Sequence, residues 1–255
     1  MALGELYHFD ETPVSGTGLE DLDRDAFQKY FERLSRQTVE QTGLSWERLL
    51  EGTRVAVLVD DTYRLTVAGL LVFGLNPQQH LRQSRLTAVR FLGDDTTADR
   101  LSPQEFAGPL AQLVRQAEEY ALQYNGAYSR IEGFVRHDQP IYPLPVLREA
   151  VVNAVVHRDY SISGSQVRLF IFDNHLEVRS PGRLPNSMTL ESIRLYNHES
   201  RNPLIAQFLN RLGLMEEFGA GIPNMIRHMR EHNGTEPVFA IEGEEFVARL
   251  SAKSS

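Results

Sequence analysis

The sequence predicts an α+β chain, in which a smaller, mainly helical module of winged-helix-like outline precedes a larger part where strands in hairpins alternate with helices. Three features carry this. Apolar residues recur at helical spacing in separate stretches: Phe27, Tyr30, Phe31 and Leu34 in one, Leu110, Leu113, Val114, Ala117 and Ala121 in another. Runs rich in Val, Ile and Phe, SQVRLFIFDN and HLEVRSPG, meet at a polar turn and read as a hairpin. Between the two parts, FVRHDQPIYPLP with its three prolines marks a boundary near residue 135.

Taken in order, residues 1–20 mix Gly, Pro, Ser and Thr without an apolar period and read as an extended lead-in. LEDLDRDAFQKYFERLSRQ is the first helix, with Asp23 or Asp25 as its cap. SWERLLEG is a second, started by Ser45 and stopped by Gly52. RVAVLVDDTYRLTVAGLLVFG reads as a strand, a turn at Asp60 and Asp61, and a second strand or helix running into Gly74. Helix, helix, hairpin gives the module over 21–135 its outline. LTAVRFLG is a short strand, and SPQEFAGPLAQLVRQAEEYALQYNG a long helix ended by Asn125-Gly126. The part from 136 to 255 opens on a helix through REAVVNAVVHRDY. The hairpin follows, then an irregular stretch to about Phe218, a helix in GAGIPNMIRHMREHNG, and two strands in PVFAIEGEEFVARLSA.

Composition bounds the function. With 42% hydrophobic and 24% charged residues the 255-residue chain reads as soluble and globular, able to bury a substantial core. No run of 18 apolar residues occurs and MALGELYHFDETPVSG lacks the features of a signal peptide, so the chain is expected in the cytoplasm and off the membrane. Without cysteine there are no disulfides or thiolate metal sites. A net charge of −8 and a pI near 5.5 argue against a broad nucleic-acid surface. DNA contact through Arg33, Arg36, Arg82 and Arg85 of the helical module stays open, although the acidic DLDRD and VDD segments weigh against it.

The helix in REAVVNAVVHRDY carries the chemistry. Glu149, Asn153 and His157 lie four residues apart, on one face of a helix that is otherwise almost entirely apolar. An amide oxygen is a hard ligand suited to Mg²⁺, which takes few protein ligands beside phosphate oxygens. A carboxylate one turn earlier can take a proton from a water. Such a stripe can equally be satisfied by neighbouring backbone groups. Downstream, Gly182 in SPGRLP follows a strand at a turn where backbone can approach a flat ligand. Gly219 and Gly221 stand just before a helix with Pro223 near its first position, and backbone donors at such a helix start attract phosphate. Arg158 and Asp159 read as ties between helix end and loop, His175 as an exposed turn residue, and Tyr160 as core.

Glu149-xxx-Asn153, a glycine turn after a strand, and Gly219-x-Gly221 before a helix together resemble the three boxes of the GHKL ATPases. More closely, YPLPVLREAVVNAVVHRDYS, DNHLEVRSPGRLPNSMTL, SRNPLIAQFLNRLGLMEEFGAGIP and RLTVAGLLVFGLNPQ are similar to one bacterial group. These are the RecG-related transcriptional regulators, whose C-terminal half is a divergent GHKL-type module. The resemblance spans residues 45 to about 250, and NAVVHRDY is its most specific string. It implies a Bergerat-type α/β sandwich over 136–255, a mixed, largely antiparallel sheet covered by helices, binding ATP and Mg²⁺. Asn153 is then the Mg²⁺ ligand, Glu149 the candidate base, and His157 a neighbour of the ribose or phosphates. Gly182 lies under the adenine, and Gly219 and Gly221 face the phosphates. The stretch from Asn186 to Phe218 is a lid, with Arg201 and Asn202 as phosphate contacts.

Two departures stand out. Ser180-Pro181-Gly182 occupies the place of the acidic residue that reads adenine in the wider superfamily, and Pro223 replaces further glycine in the second glycine box. Asp173, at the far hairpin turn, is no substitute. The Schlafen-like DNA-binding domain usual at the N-terminus of that group is not present here, nor is the winged-helix module that often follows, so the chain is expected to be a fragment or a natural short form. No GxxxxGK[ST] loop occurs, so nothing supports a helicase motor. The expected role is a nucleotide-dependent conformational switch with slow or no hydrolysis, working with a second copy of the chain or with a separate DNA-binding domain or protein. The alternatives are a nucleotide-free dimerisation scaffold and a DNA-binding regulator acting through the helical module.

Overall fold

A computed structural model describes residues 8–132, 135–185, 188–195, 199–215 and 220–252. The helical module begins with α1 (Arg24–Ser35), capped by Asp23, whose side chain accepts a hydrogen bond from the Ala26 N–H at 2.9 Å. Helix α2 (Trp46–Gly52) is capped by Ser45 in the same way. Strands β1 (Ala56–Val59) and β2 (Thr62–Leu65) pair antiparallel around Asp60 and Asp61, both at positive φ (48° and 59°), as a two-residue hairpin turn requires. Thr66 then caps α3 (Val67–Phe73), every residue of which is buried. The short α4 (Pro77–His80) leads on to the sheet.

From residue 8 onward the extended lead-in is fastened to the helical module. Val14 N–H donates to the Leu65 carbonyl, Val67 N–H to the Thr12 carbonyl, and Asp10, Val14 and Thr17 are buried. The segment has no apolar period because its backbone pairs with distant chain and forms little regular structure of its own. Asp10 is fully buried, and that burial pushes its carboxyl up to about 6 against the opposing pull of hydrogen bonds from two backbone amides.

Six strands form the main sheet in the order β4-β3-β7-β8-β10-β9. They are β3 (Leu86–Arg90), β4 (Gln104–Phe106), β7 (Val167–Ile171), β8 (His175–Pro181), β9 (Val238–Glu242) and β10 (Glu245–Ser251). Only β3 and β7 run parallel; the other neighbours are antiparallel, giving the mixed, largely antiparallel sheet that was expected. The crossover between β3 and β7 contains α5 (Leu110–Tyr124), a separate hairpin of β5 (Ala127–Glu132) and β6 (Val135–Pro140), and α6 (Leu144–Val156). Helices α7 (Pro203–Arg211) and α8 (Gly221–Asn233) complete the set. Among the described residues no helix is long and apolar enough to cross a membrane.

Alternation along the strands turns Val167, Leu169 and Ile171 of β7, Leu176 and Val178 of β8, and Leu250 of β10 toward α6 and its neighbours, all buried. This α/β sandwich is not separated from the helical module by the boundary expected near residue 135. Strands β3 and β4 and helix α5 come from before it and complete the sheet and its helical layer. One core also runs through both parts, since the Tyr30, Phe73 and Phe208 rings pack tilted or edge-on at centroid distances of 5.0 to 5.6 Å. The prolines that suggested a boundary stand at the end of β6 (Pro140), at the N-cap of α6 (Pro143) and in its first turn (Pro145).

The other face of the sheet carries charge in register. Glu177 is buried there and meets Arg179 at 2.7 Å, Arg249 at 2.5 Å and His175 at 3.3 Å, while Arg168 pairs with Glu245. Burial pushes the Glu177 carboxyl up, but hydrogen bonds from His175, Arg249 and Arg179 outweigh it and bring it to about 2, from an ordinary value near 4.5. A depressed carboxyl contributes stability above its unfolded value, and that contribution disappears as pH falls toward the folded one. Glu177→Gln is therefore expected to be less stable than wild type at pH 7, with the difference shrinking between about pH 4.5 and pH 2. Urea midpoints across a pH series measure this, and a constant difference would contradict the assignment.

Candidate functional site

Helix α6 is apolar on nearly every side, and Val146, Leu147, Ala150, Val151, Val152, Val155 and Val156 are buried. Its polar stripe looks into a cleft. Glu149, Asn153 and His157, the last at the C-cap position, line one wall of a narrow cleft with a volume of about 90 Å³. Asn153 Nδ2 donates to Glu149 Oε1 at 2.9 Å, which orients the amide so that its oxygen is turned away from the carboxylate.

The opposite wall is the start of α8. A methyl group on Gly221 would lie 1.7 Å from Glu149 Oε1, so the absence of a side chain there is what lets the carboxylate rest against the first turn of α8. Pro223 sits within that first turn, where a missing N–H breaks no helix hydrogen bond. Gly219 lies outside the described residues, as do both ends of the expected lid, Asn186 and Phe218. Of the intervening stretch, Met188, Ile193, Glu199, Arg201 and Met215 line the cleft.

The floor is the end of β8. Ser180 Oγ donates to the Ala154 carbonyl at 2.6 Å, binding strand to helix. Gly182 also lines the cleft, with φ at +113°, and a methyl there would meet Asp159 Cβ at 2.7 Å. Its glycine is thus demanded by the approach of the Asp159 loop, whose N–H donates to the Pro181 carbonyl at 2.8 Å. Asp159 in turn holds Arg201. The guanidinium donates to Asp159 Oδ2 at 3.1 Å and to the Arg183 carbonyl at 2.7 Å, standing partly exposed at the mouth.

Asn202 requires a correction. It is fully buried and absent from the lining, and its Nδ2 donates to the carbonyls of Val156 and Arg158 at 2.7 and 2.8 Å. The first is a carbonyl left open by the end of α6 and the second belongs to the residue just past its C-cap, so the Asn202 amide is turned to the helix end and not to the cleft. Arg158 and Tyr160 tie the helix end to its loop. Arg158 is buried and donates to three carbonyls, those of Asp159, Ile162 and Ser165, and Tyr160 Oη donates to the Val155 carbonyl. The sequence reading missed the apolar wall made by Leu184, Met188, Ile193, Met215, Ile222 and Phe246. These residues come from separate segments and share no spacing that could have marked them.

The donor set suits a hydrated cation held beside phosphate: the Asn153 amide oxygen and the Glu149 and Glu199 carboxylates line the cleft, together with Arg183 and Arg201. Among the described residues no three His, Asp or Glu side chains converge on a point that could hold a metal by themselves.

Residues 164–250 match the family described as "Putative ATP-dependent DNA helicase recG C-terminal", and residues 4–86 match a domain of unknown function, DUF8451. Residues 164–250 are thus similar to a RecG-related ATPase-like domain. That match begins after α6, so Glu149 and Asn153 lie before it, while Gly182, Arg201 and Gly221 lie within it. No curated protein matches the chain. Among solved structures it is similar to the DIP2311 protein from Corynebacterium diphtheriae, at 24% identity and a TM-score of 0.70, over 96% of this chain and 48% of that one. The chain therefore spans about half the length of that protein, and what they share is the fold.

The contact between α6 and α8 can be tested directly. Gly221→Ala is expected to cost about 1–3 kcal/mol, because the methyl must displace the Glu149 carboxylate, and Glu149→Ala in the same chain should recover most of that loss. Urea denaturation of the two single variants and the double variant measures the coupling; simple additivity would count against the contact.

Proposed function

We propose that this chain binds ATP with Mg²⁺ in the cleft between α6 and α8 and works as a nucleotide-dependent switch within a transcription-regulating system. The observation that supports it most is the convergence, in one open cleft, of Glu149 and Asn153 from α6, the glycine start of α8, and Arg201. Asn153 would hold Mg²⁺ through its amide oxygen, and the ion would neutralise phosphate charge. Arg201 would pair with phosphate oxygens once released from Asp159, and the first turn of α8 would add backbone donors and the positive end of its dipole. The base would lie toward Gly182 and Ser180, against Met188, Ile193 and Phe246, where apolar contact contributes without demanding polar partners.

Glu149 would take a proton from a water attacking the terminal phosphate. Its hydrogen bond with Asn153 keeps it near the phosphate end of the cleft. Turnover would be slow, because the segment over the cleft must open to release product. The signal would pass through that segment to a second copy of the chain or to a separate DNA-binding domain or protein.

Isothermal calorimetry is the test. Wild type should release or absorb heat on binding ATP with Mg²⁺, and Asn153→Ala should weaken binding about tenfold or more, a loss of roughly 1.4 kcal/mol. Glu149→Gln should keep binding while lowering any hydrolysis by about 10²- to 10⁴-fold. No heat with wild type, or equal affinity in Asn153→Ala, would remove the proposal.

A further inference from the structure

The start of α7 is held in an unusual way. Asn202 stands at its N-cap position but makes no capping hydrogen bond, because its side chain is committed to the end of α6. The cap comes from Asp10, 194 positions earlier in the chain. Asp10 Oδ2 accepts from the Leu204 N–H at 2.8 Å and the Ile205 N–H at 3.0 Å. A carboxylate on two first-turn amides satisfies donors that a helix start leaves open and complements its dipole. Residue 201 immediately precedes this doubly held turn, and its guanidinium lines the cleft.

We propose that Asp10 is a positioning residue for Arg201, so that the N-terminal segment completes the anion-binding end of the cleft. The idea rests on reading the cleft as an ATP site. Three fixed points define where Arg201 can stand. Asn202 is tied to the end of α6, the first turn of α7 is tied to Asp10, and the guanidinium itself is tied to Asp159 and the Arg183 carbonyl. The first two are buried and independent of any ligand. The third is partly exposed and is the one a phosphate can replace. Release of Asp10 frees the turn from one side, so Arg201 pivots on Asn202 alone and spends less of its time facing the cleft. The segment bearing Asp10 is itself fastened to the helical module, through Val14 to β2 and Thr12 to α3, so movement of that module is felt at Arg201. By this route a partner gripping the N-terminal part would tune nucleotide affinity without touching the cleft.

The test is a cycle of Asp10→Ala and Arg201→Ala in the full chain, read by calorimetry with ATP and Mg²⁺ and by thermal unfolding. Asp10→Ala is expected to weaken ATP binding about tenfold, and to add less than about twofold once Arg201→Ala is present, because the residue it positions is gone. Asp10→Asn, which keeps an acceptor oxygen for the two amides, should stay within about threefold of wild type. If Asp10→Ala does not fold, Asp10→Ser takes its place in the cycle. Losses that add in full, or unchanged affinity in the Asp10 variant, overturn the proposal while leaving the ATP site standing. Failure of wild type to bind ATP removes the site itself, and this inference with it.

Discussion

The end of α6 sets the constraint on which the cleft depends. A helix leaves its last four carbonyls without partners of its own, and here that end is buried, where each unmet group costs about 1–3 kcal/mol. The molecule answers with side chains from three places. Ser180 of β8 donates to the Ala154 carbonyl, Tyr160 of the following loop to Val155, and Asn202, ahead of α7, to Val156. The loop that leaves the helix is held by Arg158, buried, with its guanidinium on three carbonyls and over the Tyr160 ring. Ser180 at the floor and the turn that carries Arg201 at the mouth are therefore both bound to one helix end.

This arrangement explains why several polar residues beside the cleft are not available to a ligand. Ser180 lines the floor, yet its proton is committed to α6, so toward the cleft it can only accept. Asn202 has no such opportunity, because it is buried behind the wall. The glycines divide in the same manner. Gly182 is demanded by the close approach of Asp159, a matter of packing, whereas the bare backbone of Gly221 makes the room in which Glu149 stands. Pairs of glycines that look alike in sequence thus answer to different neighbours.

The matched ATPase-like region and the site are not coextensive. The match starts after α6, but the stripe that gives the cleft its chemistry belongs to α6, and strand β3, farther back still, runs parallel to β7 in the same sheet. The buried aromatic group of Tyr30, Phe73 and Phe208 continues the core into the helical module. A cooperative unit of this kind resists being cut at the proline cluster, because the cut would expose the edge of β7 and the apolar face of α5.

Local physics made much of this legible in advance. Helical spacing put Glu149, Asn153 and His157 on one face whatever surrounds them, and strand alternation made the β7–β8 hairpin plain. The two aspartates at a hairpin turn, and the capping of α1 and α2, follow from backbone geometry within a few residues. What the chain alone could not reveal depends on contacts between residues far apart in it. The direction of the Asn202 side chain, the role of Asp10, the apolar wall and the shared core are each decided by which groups become neighbours on folding. A side chain whose partner lies 46 or 194 positions away leaves no periodic trace, so only the tertiary structure shows whether it serves a ligand or a buried carbonyl.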